Sequence, residues 1–206
     1  MDSDQQVSRM AQPSPRMGAS SSGPRPEATW EDWERRVALA WDSLEEHSAD
    51  AFRQLIEELA AELPVGSAVA DFERGCSFDS TGHPARAVEL YEQALAAGLT
   101  GIRRRRAVIQ LASSLRNLGR PAESVTLLTP ELDAPSDELD DAVRATLALA
   151  LTSLGRDREA VSLVITALAR HLPRYQRSMT RYARQLVETD AAAADSTESE
   201  QDRPPR

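Results

Sequence analysis

Three segments of this chain repeat one pattern headed by a glycine: Gly82-His83-Pro84-Ala85-Arg86-Ala87-Val88-Glu89-Leu90, Gly119-Arg120-Pro121-Ala122-Glu123-Ser124-Val125-Thr126-Leu127 and Gly155-Arg156-Asp157-Arg158-Glu159-Ala160-Val161-Ser162-Leu163. The glycines are 37 and then 36 residues apart. A fixed period of this length predicts stacked helical hairpins, each unable to bury its apolar face alone, and such stacks usually serve to hold another molecule.

Helical periodicity dominates between residues 29 and 189, and no alternating strand pattern competes with it. Thr29 is placed to cap a first helix, with Glu31 and Asp32 in its first turn. Trp30, Trp33, Val37, Trp41 and Leu44 then form one apolar stripe. A second helix carries Phe52, Leu55, Ile56, Leu59 and Leu63 until Pro64 stops it. Six helices pair around the three glycines, giving repeats at about 67–98, 103–132 and 139–172, with Asp157 expected to cap the last of the six. Pro130 predicts that the second helix of the middle repeat ends or kinks near Thr129. A ninth helix is expected to begin after Pro173 and run to about Thr189. Residues 1–28 and 190–206 have the polar composition of disordered tails.

Only 4% of the residues are aromatic, so the core must be built from Ala, Leu and Val, which suits closely packed helices. All 24 basic residues are arginine, and the net charge of −9 argues against general nucleic-acid binding. Cys76 is the single cysteine, which excludes an intramolecular disulfide or a thiolate metal cluster. His47, His83 and His171 fall in separate elements without ligand spacing, and no phosphate loop, dinucleotide fingerprint or nucleophile elbow occurs. The expectation is a protein that is not an enzyme and has no cofactor. The polar, proline-containing N-terminal stretch and the lack of a long apolar run lead to an expected cytoplasmic location.

The repeat resembles the tetratricopeptide repeat family. In the first unit Gly75, Phe78, Gly82, Ala87, Tyr91 and Ala94 stand at that family's small and aromatic positions. The second unit matches through Leu111, Ala112, Leu115, Gly119, Ser124 and Leu128, and the third through Leu147, Ala148, Leu151, Gly155, Ala160, Val164 and Ala167. The chain departs from the pattern where Asp71, Val108 and Arg144 replace the large aromatic of each first helix. The likeness is to a bacterial single-domain subtype and implies an all-α, right-handed solenoid of three hairpins, extended by an N-terminal helix pair and closed by a C-terminal capping helix. It further implies a non-catalytic adaptor or scaffold that binds a peptide or protein segment in its concave groove.

By repeat position the groove would be lined by Phe72, Cys76, Arg106, Ile109, Gln110, Ser113, Arg116, Asn117, Thr146 and Leu149. Some chaperone adaptors of the family clamp a terminal carboxylate with cations. The matching positions here, Phe72, Cys76, Gln110, Ala142 and Thr146, hold none. The same groove side chains could instead simply pack. Two arginine clusters stand apart. Arg103 to Arg106 open a helix against its dipole, and are read either as an acidic-partner site or as counterions for residues 27–64, where eleven acids meet three arginines; we favour the counterions. Arg174, Arg177, Arg181 and Arg184, with Arg170 before Pro173, form a basic stripe on the last helix. Beside it Tyr175, Met179, Tyr182 and Leu186 are expected to be buried as a cap; the alternative is an Arg-rich surface of a regulatory nucleic-acid-associated protein. Self-assembly as a homo-oligomer follows if Trp30, Trp33 and Trp41 are not all buried.

Overall fold

The computed structural model describes residues 29–201, and side chains as far as 188. The segment 1–28 and residues 202–206 lie outside the described residues, so the tail expected at 1–28 falls there too. Among the described residues the chain is entirely helical: α1 (Trp30–Asp42), α2 (Ala49–Ala60), α3 (Ala68–Ser80), α4 (Pro84–Ala96), α5 (Gly101–Asn117), α6 (Pro121–Leu128), α7 (Asp140–Ser153), α8 (Asp157–Ala169) and α9 (Gln176–Gln201). Short 3-10 turns at Leu44–Glu46 and Thr129–Leu132 complete it.

The ends of these helices follow from local chemistry. Thr29 Oγ1 accepts from the Asp32 amide, and Ser48 and Ser67 cap α2 and α3 through the Ala51 and Ala70 amides. Pro84 and Pro121 occupy first-turn positions of α4 and α6, where the missing N–H costs nothing. Arg156, not Asp157, is the N-cap of α8; Asp157 is its first helical residue and still meets the positive end of the helix dipole. α6 stops at Leu128 and gives way to the 3-10 turn containing Pro130, as the proline demands. α9 continues to Gln201, past the boundary drawn at 189, across the helix-favouring run Ala191–Ala194.

Each hairpin turns at a left-handed glycine: φ is +82° at Gly82, +78° at Gly119 and +74° at Gly155. After each turn the backbone N–H of the following residue bonds back to the helix just ended, as His83 to Phe78, Arg120 to Leu115 and Arg156 to Leu151. Gly75 is needed for space rather than conformation. A Cβ there would lie 2.8 Å from two ring carbons of Tyr91, so the glycine is what lets α3 and α4 close on each other.

Packing makes three linked cores. Trp33, Val37, Phe52 and Ile56 join α1 to α2. Phe72, Cys76, Tyr91, Leu111 and Leu115 join α3, α4 and α5, while Val108, Leu128, Val143, Leu147 and Leu151 join α5 through α8. α5 rests on both helices of the first hairpin, and α7 on both helices of the second. α9 differs: it lies chiefly along α8. Ala183 is its fully buried centre, with Met179, Leu186 and Val187 half-covered. The expectation that Tyr175 and Tyr182 would be buried is therefore corrected, since they are 72% and 46% exposed. Residue 183 sits at the middle of the packed face, and its small side chain carries little weight in an apolar pattern.

Candidate functional site

The groove predicted from repeat positions is partly consumed by the stack itself. Phe72 and Cys76 are 0% and 1% exposed, so neither lines an open groove. They are covered by α5, one helical turn at a time. The Arg106 guanidinium lies over the Phe72 ring at 5.3 Å, Cys76 Sγ donates to Gln110 Oε1 at 3.2 Å, and Ser114 Oγ donates to Asp79 Oδ1 at 2.7 Å. Burial pushes the Cys76 thiol up to about 12, which leaves it a neutral packing group. Burial also raises the Asp79 carboxyl above its ordinary value, partly offset by the hydroxyls of Ser114 and Tyr91.

Along the stack this face opens. In the middle repeat Ile109, Gln110, Ser113 and Arg116 are half-buried, while Arg106 and Asn117 are exposed. Ile109 joins the core shared with α7, and Arg116 donates to Asn117 Oδ1 at 2.9 Å. In the last repeat Thr146 is half-buried and Leu149, the counterpart of Cys76 and Ser113, is 54% exposed. Leu149, Ala145 and Thr152 of α7 face Val161, Val164 and Ile165 of α8 across an open, apolar trough of about 380 Å³. Val161 and Val164 are each 47% exposed, whereas their counterparts Val88 and Tyr91 are 5% and 0%. The trough is thus the surface that each earlier hairpin presents to the next, left uncovered at the third because α9 lies along α8 rather than over α7. Repeat position already puts Leu149 in the groove; the α8 side, Val161 and Val164, is not legible, because those residues read as ordinary core and only the position of α9 exposes them.

The arginine run at the start of α5 is structural. Arg103 donates to both carboxylate oxygens of Glu34, at 2.8 and 2.6 Å, and to Glu73 at 3.1 Å, and its guanidinium lies 6.0 Å from the Trp33 ring centre. Glu73, itself 3% exposed, also accepts from Trp41 Nε1 at 2.9 Å. Only Arg103 meets the acidic N-terminal pair, so the counterion reading is corrected for its neighbours. Arg104 pairs with Glu131 at 2.6 Å. Arg105, buried, donates to the Pro135 and Glu131 carbonyls and to Asp140 Oδ1. The acids that close on these two lie in the irregular connection 129–140, which periodicity could not place.

Arg174, Arg177, Arg181 and Arg184 are exposed and make no ion pair among the described residues; Arg181 stacks on the Tyr182 ring at 5.1 Å. Of the three tryptophans, Trp33 is buried, Trp41 is half-buried and Trp30 is exposed, stacked on Trp33 with centroids 5.1 Å apart. Among the described residues no group of three or more His, Cys, Asp or Glu side chains could hold a metal ion, and no helix is long and apolar enough to cross a membrane.

A family model described as Tetratrico peptide repeat matches residues 68–186. Two solved structures are similar over most of the chain. One is a crystal structure of the nearly identical TPR-like repeats assigned to a kinesin light chain of Podosopora anserina. It has a TM-score of 0.58 and 20% identity, and the match covers 83% of this chain and 97% of that one. Its Q17M variant has a TM-score of 0.58 and 21% identity, covering 81% and 91%. At that identity they bear on the fold alone. No curated protein matches the chain significantly.

Proposed function

This chain belongs to the tetratricopeptide repeat family, whose repeats are generally protein-interaction modules, and from that premise we propose that it is a non-catalytic adaptor holding a segment of another polypeptide in the open trough at the end of its stack. The carrying observation is the contrast between Val161 and Val164, each 47% exposed, and their covered counterparts Val88 and Tyr91. A contiguous apolar surface of this kind, built from rigid helices, favours an extended or helical segment with apolar anchors. Thr146 on α7, and Arg116 and Asn117 on α5, lie one helical turn from Leu149 and its counterpart Ser113 and offer hydrogen bonds to such a segment.

The test is selection from a displayed peptide library. Wild type is expected to enrich amphipathic sequences, Leu149→Glu/Val164→Glu to lose them with unchanged helicity, and Arg177→Glu/Arg181→Glu to retain them. Enrichment that survives the trough variant, or is lost only with the arginines, would refute the reading.

A further inference from the structure

One group of arginines is left uncompensated in a molecule that is otherwise rich in acid. From Arg35 to Arg170 most arginines are held by carboxylates, as Arg74 is by Glu57 and Arg170 by Asp141. Arg106 and Arg116 instead lie on the Phe72 ring and the Asn117 amide oxygen. Arg174, Arg177, Arg181 and Arg184 of the last helix are exposed and have no acid partner among the described residues. No acid stands anywhere between Glu159 and Glu188, while five arginines do. Spacings of three and four place the last four of these on one side of the chain's last helix, in a line about 15 Å long. The line starts at the N-terminal end of α9, where the helix dipole is positive as well. A face that merely solvates a helix interleaves its signs, as α4 does with Arg86 and Glu89. This one concentrates a repulsion that an outside anion relieves.

We propose that this stripe binds single-stranded nucleic acid. The neighbouring rings choose among the polyanions. Tyr175, in the left-handed region at φ +70°, is 72% exposed just ahead of the helix. Tyr182 is 46% exposed on the flank of the stripe, with the Arg181 guanidinium 5.1 Å from its ring centre. Phosphates on arginines and unpaired bases on aromatic faces hold a single strand without reading its sequence. An acidic polypeptide would use the charges and leave both rings idle. The acidity of the whole chain chooses between one strand and two. Its net charge is −9 although five arginines crowd the acid-free stretch, so the remaining surface is strongly negative and repels the second strand of a broad duplex. A narrow, flexible strand keeps to the stripe. This surface is separate from the trough of α7 and α8, and neither reading rests on the other.

Fluorescence anisotropy of the full chain with short labelled oligonucleotides tests this. Single-stranded RNA and single-stranded DNA are the probes; a duplex of the same sequence and a poly-glutamate peptide are the rivals. A single strand is expected to bind ahead of both rivals, and a preference for RNA or DNA names the source. Four phosphate contacts predict an affinity that falls about fifty-fold between about 50 and 200 mM salt. Arg177→Gln/Arg181→Gln should weaken binding about twentyfold and roughly halve the salt slope. Tyr182→Ala should weaken it about tenfold and leave the slope unchanged, which a purely electrostatic surface would not show. Arg35→Gln/Arg86→Gln removes the same charge from elsewhere on the surface and should bind as wild type does. Circular dichroism should show the same helicity in every variant. No binding of either strand, equal or tighter binding of the duplex or of poly-glutamate, indifference to Tyr182→Ala, or an equal loss in Arg35→Gln/Arg86→Gln would each overturn the proposal.

Discussion

Two glycines that look alike in the sequence do different work. Gly82 sits at φ +82° with open space around its Cα, so alanine there meets only the left-handed backbone penalty, about 1 kcal/mol. Gly75 has ordinary helical backbone, but a Cβ would strike the fully buried Tyr91 ring. Neither helix can yield without opening the Phe72–Tyr91 core, so overpacking predicts a loss of about 2–3 kcal/mol for Gly75→Ala. Urea denaturation of the two variants checks the order: the midpoint for Gly75→Ala should fall well below that for Gly82→Ala.

At the scale of elements, the connection 129–140 is the one long irregular stretch between repeats, and Arg105 holds it. Its guanidinium spans the Glu131 and Pro135 carbonyls and Asp140, with Asp137 at 3.3 Å. Arg105→Met keeps the apolar stem and removes every one of these bonds, leaving Glu131 buried beside Arg104 alone; a cost of about 2–4 kcal/mol is expected. Limited proteolysis should then cut within 129–140 first. Acid should loosen the same segment. The Ser136 hydroxyl, then the Asp137 amide and the Arg105 and Arg144 charges, hold the Asp140 carboxyl below its ordinary 3.8. A lowered native value means stabilisation that is complete above 3.8 and is lost as pH falls below it, so cleavage of wild type should rise in that range. How much of this was legible in the sequence differs between elements. The helices, the glycine turns and the break near Thr129 follow from short-range chemistry that a linear pattern displays. The partners of Arg104 and Arg105 do not, because a charged loop has no period. The groove residues Phe72 and Cys76 failed for a related reason: repeat position gives the direction of a side chain, but not whether the next helix stands in front of it.

For the whole molecule, the order of the hairpins matters more than any single contact. Apart from the Arg103–Glu34 pair, which reaches from α5 back to α1, the hairpins pack chiefly on their neighbours, so stability accumulates from adjacent interfaces rather than from one shared core. The first two interfaces are aromatic-rich, with Trp33, Trp41, Phe52, Phe72, Phe78 and Tyr91 among them, and Arg103 ties α1, α3 and α5 together. Between Tyr91 and Tyr175 the sequence has no Phe, Trp or Tyr, and the later core is made of Ala, Val and Leu. Less apolar area per residue is buried there, so opening should begin at the α7–α9 end.

That uneven placement of aromatic rings has an optical consequence. All three tryptophans lie in α1, the most distant helix in sequence from the end expected to open first. Their emission therefore reports on the N-terminal pair and is blind to the other end, whereas far-ultraviolet circular dichroism counts every helical turn. On heating, the dichroism should begin to fall several degrees before the fluorescence moves; superimposed curves would mean that the stack melts as one unit.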